Sequence, residues 1–311
     1  MSTHSGLPVG GPLASMSQAH PHWSGGQSGQ LRDGTVGVLL GSSRRLGRHR
    51  LAAVREGLSQ RDLAVLADIG RFRMLTSRQL ETLHFSDAAT PLTAARTCRR
   101  VLRRLTTLGL LHRLERRIGG LHAGSAAFIY VLSDGGQRLL DGGADDAAPR
   151  KRLHEPSLPF VAHTLAIAEL YVSLVVASRH DSGVGLVELL DVQTEPTSWR
   201  RWTRGDGSGE VLRPDLYVSL GVGADELRWF IEVDRGSEHL PTVLRKAQAY
   251  QRYYDSGVEQ TREGVFPRVL WVVPDARRAQ QLTAGLERER GLTAALFDVS
   301  IEQTAAGRLQ Q

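Results

Sequence analysis

One segment limits how this 311-residue chain can fold more than any other. Between Thr90-Pro91 and Gly109, arginine occupies positions 96, 99, 100, 103 and 104. The spacing i, i+3, i+4, i+7, i+8 puts all five on one face of a helix. Ala95, Cys98, Val101, Leu102, Leu105 and Leu108 form a second stripe that can pack on other helices. Pro91 suits a first helical turn, and Gly109 suits the position just past the end. Such a helix buries one side and offers a cationic side. The acids that would pair with that side are nearly absent, since Glu115 is the one acidic residue between Thr90 and Ser125. A solvated helix face usually mixes signs to gain i,i+4 pairs. The expectation is therefore a face for double-stranded DNA, in which Arg96, Arg99, Arg100, Arg103 and Arg104 contact base edges or phosphates. A solvated charged face, or a unit used for dimerisation, stays open.

The flanking sequence supplies the rest of a small domain. Ser59, with Asp62 three residues on, can cap a helix carrying Leu63, Val65, Leu66 and Ile69. Thr76 precedes Gln79, Leu80 and Leu83, which predicts a second, short helix. After Gly109, residues 110–117 and 127–132 have strand character and are joined by the glycine-rich link 118–125. Helix, helix, helix, hairpin is the order of a winged helix-turn-helix, assigned to residues 51–140. Arg113, Arg116 and Arg117 fall where its wing would meet DNA. Residues 1–50 have the composition of a disordered arm with a basic end, and 141–157 that of a linker.

Residues 158–295 are expected to form a second, mixed α/β domain, followed by a tail at 296–311. Helices are predicted at 161–178, 239–254 and 276–290. Strands are predicted at 186–192, 216–220, 228–234 and 269–273. The fold class is thus α+β or α/β: an N-terminal winged helix-turn-helix followed by a nuclease-like mixed α/β domain. The segment 198–209 reads as a polar loop. Its residues Trp199, Arg200, Arg201, Trp202 and Arg204 could contact DNA or simply pack on the domain.

Composition excludes several classes. A single cysteine, Cys98, rules out an intrachain disulfide and argues against a cysteine-based zinc site, which fits a cytoplasmic protein. No stretch of about 18 apolar residues and no signal peptide is evident, so no membrane partner is expected. Net charge is +6, from 39 basic and 33 acidic residues, a mild bias towards an acidic partner. Neither a phosphate-binding glycine loop followed by Lys-Ser/Thr nor a GxSxG element occurs. His163 lies six residues before Glu169, off one-face spacing, and is expected to be a capping or core residue.

The second domain carries an acidic constellation. Arg213-Pro214-Asp215 opens one predicted strand, and Ile231-Glu232-Val233-Asp234-Arg235 closes the next. Glu232 and Asp234 share one face of that strand. Lys246 and Tyr250 follow one turn apart on a helix, and Glu169 lies on the domain's first helix. Carboxylates at adjacent strand ends can hold Mg²⁺, and a lysine beside them can orient water for phosphodiester hydrolysis. Structural roles stay open too: Asp215 capping a turn, Asp234 pairing with Arg235, and Glu238 and Lys246 on a helix surface.

The Pro-Asp, Glu-x-Asp-Arg-Gly and downstream Lys and Tyr resemble the replication-relaxation protein family of actinobacterial plasmids and integrative elements, over about residues 58–275. That resemblance implies a role in plasmid replication, DNA relaxation or transfer, with replication or transfer proteins as partners. The block is also similar to the restriction-endonuclease-like core. This second resemblance implies a metal site at Asp215 and Glu232, with Glu169 matching the helix acid. Asp234 stands where the lysine of Glu-x-Lys belongs, so Lys246 would have to supply the amine. Three outcomes follow: a DNA-binding protein of a mobile element, a metal-dependent nicking nuclease, or a transcriptional regulator with an inactive nuclease-like domain. A homodimer is compatible with each.

Overall fold

The computed structural model describes residues 46–118, 127–142, 156–179 and 187–311. The arm up to residue 45, the link 119–126 and most of the expected linker lie outside the described residues, as do the side chains of 115–118.

The first part runs α1 (Arg48–Glu56), α2 (Gln60–Phe72), β1 (Leu75–Thr76), α3 (Ser77–His84), α4 (Pro91–Thr107), β2 (Leu111–Ile118), β3 (Ala127–Leu132) and α5 (Asp134–Leu140). Local signals set the starts of α2, α3 and α4. Ser59 and Asp62 exchange side-chain and backbone hydrogen bonds in a complete capping box at α2. Thr76 and Gln79 do the same at α3. These bonds satisfy N–H groups that have no partner inside the helix. Thr90 caps α4 by accepting from the Thr93 N–H. At the other end, Gly109 N–H donates to Thr106 and Leu110 N–H to Leu105. That closure requires a positive φ, which Gly109 adopts at 75°.

The buried stripe of α4 is Ala94, Cys98, Leu102 and Leu105. Ala94 replaces the expected Ala95, because steps of four, four and three follow the helical period more closely. Burial in the core pushes the Cys98 thiol up to about 12, which disfavours the thiolate. Strand β3 pairs antiparallel with both β1 and β2, giving the order β1-β3-β2. Gly136 lets α5 close against this corner, where a Cβ would stand 2.2 Å from the Leu110 carbonyl oxygen.

The second part runs α6 (Leu158–Ser178), β4 (Val187–Thr194), β5 (Arg200–Thr203), β6 (Gly209–Leu212), β7 (Leu216–Val222), β8 (Asp225–Val233), α7 (Leu240–Asp255), α8 (Val258–Glu263), β9 (Arg268–Val273), α9 (Ala276–Arg288), β10 (Phe297–Ile301) and α10 (Ala305–Arg308). Five of these strands form a sheet in the order β10-β9-β8-β7-β4. Strands β4, β7 and β8 are antiparallel neighbours, whereas β8, β9 and β10 run parallel. Alternate residues serve opposite faces. Trp229, Ile231, Leu270 and Val272 join the core that includes α6 and α10. Phe230, Val269 and Trp271 join Val243, Ala247 and Tyr250 of α7 and Leu282 of α9.

Two expectations are corrected here. The polar loop at 198–209 contains strand β5, which pairs with β6 as an antiparallel ribbon. Its Arg200 and Trp202 turn inward while Arg201 and Thr203 face solvent. The tail at 296–311 contains β10, paired with β9, and Leu309 accepts a hydrogen bond from the buried Trp229 indole at 3.0 Å.

A third correction concerns α6. No apolar stretch of membrane-spanning length was expected, yet α6 is long and apolar enough to cross a membrane by length and composition. It lies between the two parts of the chain, and from 161 to 178 only Glu169 is exposed. A helix apolar on all sides suits burial on all sides. Met74, Leu114, Ile129 and Val131 of the first part cluster with its Val161 and Leu165. The Phe72 and Tyr171 rings meet at 4.7 Å. Gln79, already the capping-box partner of Thr76, donates to the Leu165 carbonyl at 3.1 Å and to Glu169 at 2.9 Å. Arg179, just past α6, donates to the carbonyls of Thr82 and Leu83.

Candidate functional site

Two constellations concentrate charge. On α4, Arg96, Arg99, Arg100, Arg103 and Arg104 are all exposed along one side. Arg104 donates to the buried carboxylate of Asp62 on α2. Among the described residues, the other four have no acidic partner. Arg113 on β2 is exposed, with its guanidinium 4.4 Å from the Phe128 ring centroid. Arg116 and Arg117 belong to β2, but their side chains lie outside the described residues.

The second constellation forms where β7 starts beside β8. Leu216 pairs with Ile231, so the residues next to them, Asp215 and Glu232, stand close together. Asp215 Oδ2 accepts the Val233 N–H at 2.7 Å, and Oδ1 lies 3.1 Å from His163 Nε2 on α6. Glu232 is buried. Its Oε1 accepts from the Tyr250 hydroxyl at 2.7 Å and its Oε2 from Lys246 Nζ at 3.0 Å. Lys246 also donates to Glu238 Oε1 at 2.9 Å.

The electrostatics follow from this packing. Burial, and then the charge of Asp215, push the Glu232 carboxyl up to about 7, against the pull of Lys246 and Tyr250. The hydrogen bond to Asp215 raises the His163 pKa despite partial burial. Burial disfavours the Lys246 ammonium, but Glu232 and Glu238 outweigh it and keep the group charged. Burial raises the Tyr250 phenol well above its ordinary value. A neutral hydroxyl is the form that can donate to Glu232.

Asp215, Glu232 and Lys246 thus come together, and Glu169 and Asp234 do not join them. Asp234 points to α9, where Arg278 Nε donates to it at 2.6 Å, and it also accepts the N–H of Gly236, in the turn after β8, at 2.8 Å. Arg278 also donates to the Glu238 carbonyl at 2.5 Å, so Asp234 holds the turn leading into α7. Arg235 pairs with Glu302 instead of Asp234. Glu169 faces Gln79 of α3. Six residues carry the chain about 240° around a helix, so Glu169 and His163 point to different sides of α6. The helix residue that reaches Asp215 is His163, expected to be a cap or core residue. Its partner lies 52 residues along the chain, and no local pattern marks it.

A divalent ion here would have to compete with protein contacts that the acids already make. Both oxygens of Asp215 and both of Glu232 already meet protein hydrogen-bonding groups, and the Lys246 ammonium sits against Glu232. Among the described residues, no group of three or more His, Cys, Asp or Glu side chains could hold a metal ion. The arrangement holds half-exposed His163 and Lys246 against the acids beneath them.

The ribbon residues divide between two fates. Arg200 is buried against Glu259 at 3.2 Å and lies over the Tyr217 and Phe230 rings. Trp202 packs on Tyr253 with centroids 4.7 Å apart. Both are structural. Arg204 pairs with Glu210.

The family model for replication-relaxation proteins matches residues 66–269, more than half of the chain and both parts of the fold. The chain belongs to the replication-relaxation family. No curated protein and no solved structure matches it.

Proposed function

We propose that this replication-relaxation protein binds double-stranded DNA through a winged helix-turn-helix made of α2, α3, α4 and the β2–β3 hairpin. On this reading α4 enters the major groove, and Arg113, Arg116 and Arg117 approach the backbone from the wing. The observation that carries it is the row Arg96, Arg99, Arg100 and Arg103, exposed and without acidic partners among the described residues. Leaving four like charges along one helix face is unfavourable for a solvated surface. It is favourable where phosphates and guanine edges complete the arginines. Arg104, neutralised by Asp62, ties α4 to α2.

The α/β part then acts as a nuclease-like scaffold that α4 delivers to plasmid or mobile-element DNA during replication, relaxation or transfer. Asp215 at the start of β7, Glu232 on β8 and Lys246 on α7 are the residues at its site. The extensive contacts between α3 and α6 would carry the scaffold with the DNA-bound unit.

The test is fluorescence anisotropy of the full chain with a labelled duplex across a salt series. Replacing Arg99, Arg100 and Arg103 by Ala is expected to weaken binding tenfold or more. The slope of log affinity against log salt should fall by about 2–3, near 0.9 per lost phosphate contact. Unchanged affinity and slope would remove the reading.

A further inference from the structure

We propose a second DNA contact: a single-stranded segment passes over the Asp215–Glu232 site, held by Trp199, Arg201 and Arg213 on one side and Phe160 on the other. The inference rests on the DNA-binding reading above and names the form of DNA that this second surface takes.

The β5–β6 ribbon sorts its residues by face. Arg200, Trp202 and Leu212 turn inward. Arg201 and Val211 are cross-strand partners on the outer face, with Trp199 and Arg213 just beyond. The Arg213 guanidinium lies 4.8 Å from the half-buried Trp199 ring and that of Arg201 lies 5.9 Å from it. Both arginines are exposed, and neither has an acidic partner among the described residues. The three are tied to the site. Arg213 is two residues before Asp215, and Ser198, next to Trp199, donates to the Pro214 carbonyl at 2.8 Å. On α6, Phe160 stands one helical turn before His163, the residue that reaches Asp215, on the same helix face and 39% exposed.

The chemistry favours an unpaired strand. A guanidinium held against an aromatic ring keeps its in-plane N–H donors free for phosphate oxygens. An exposed ring such as Phe160 gains by stacking on a base, and a base offers its face only when unstacked from its neighbours. Cations along the backbone path with aromatics between them are the features of single-strand grooves. His163 and Lys246, both half-exposed, offset the repulsion between the acids and a passing phosphate.

The experiment compares the full-length chain on a labelled oligothymidylate and on a labelled duplex. Wild type is expected to bind both. Arg213→Ala and Phe160→Ala, at exposed positions where the fold tolerates truncation, are each expected to weaken oligothymidylate binding about tenfold, with duplex affinity within about twofold. Trp199→Leu should do the same and should abolish any quenching of tryptophan fluorescence specific to that residue. The triple Arg99, Arg100 and Arg103 variant should show the opposite selectivity, so failure of the α4 reading and failure of this one give different results. The proposal is overturned if wild type does not bind oligothymidylate, if Arg213→Ala and Phe160→Ala leave that affinity unchanged, or if they weaken duplex binding equally.

Discussion

The Arg104 guanidinium donates to the carboxylate of Asp62 and ties the last arginine of the α4 row to the capping box of α2. Asp62 is almost fully buried, and burial works against its charge. Hydrogen bonds from Arg104 and Ser59 outweigh burial and lower its pKa. One residue therefore completes the capping box of one helix and holds another.

This relationship separates Arg104 from its neighbours. Arg104→Ala would leave a buried carboxylate without its charged partner, at a cost of about 1–3 kcal/mol. Asp62→Ala also removes the return half of the capping box, the bond from the Ser59 N–H, and should cost about 2–3 kcal/mol. Arg96, Arg99, Arg100 and Arg103 to Ala should each stay within about 0.5 kcal/mol of wild type. Urea denaturation of the five single arginine variants decides it, and an Arg104 variant no less stable than the others would refute the assignment.

Lys246 and Glu232 form the second pair whose removal has a definite sign. Lys246→Met leaves Glu232 buried beside Asp215 without its cation. The expected loss is about 1–3 kcal/mol, below the range for a fully buried pair because Lys246 is 38% exposed. Adding Glu232→Gln to Lys246→Met should restore much of that stability, since a neutral amide needs no counter-charge. A double-mutant cycle with additive losses would show that the two side chains are not coupled.

The same site gives stability a pH dependence. Glu232 has a folded pKa near 7 against an ordinary 4.5, so the folded state holds its proton more tightly. Its contribution therefore falls as pH rises from about 4.5 through 7. His163 is also raised, so its contribution is full below 6.5 and is lost as pH rises through its folded value. Both terms act in one direction, and stability should decline from pH 5 to pH 8. Glu232→Gln should flatten that decline, and His163→Gln should flatten its upper part. An identical slope in both variants would exclude the site as its source.

Because the Lys246 ammonium already sits against Glu232 and no group of three metal-binding side chains forms among the described residues, Mg²⁺ or Mn²⁺ is expected neither to raise the melting temperature nor to produce nicking of supercoiled plasmid. Nicking that appears with either ion and disappears in Asp215→Ala would reverse the closed-site assignment and restore the metal-dependent nuclease expected from the resemblance.

Much of this protein is legible along the chain because its signals are local. The cap at Ser59, the Thr90-Pro91 start, the Gly109 stop and the arginine period each act within a few residues, where helical geometry alone sets the outcome. The Pro214-Asp215 and Glu232 positions are legible for the same reason, as strand starts and ends. Sequence could not decide among partners far apart in the chain. Asp234 shares a strand face with Glu232, yet Arg278 on α9 draws it out of the site. Glu169 fits the helix position of the resemblance, yet rotation about α6 gives that place to His163. Trp199 and Trp202 look equivalent three residues apart, yet the ribbon buries one and leaves the other half-open beside Arg213. In each case the choice was made by which element packed opposite, and that depends on burial and charge across the assembled core.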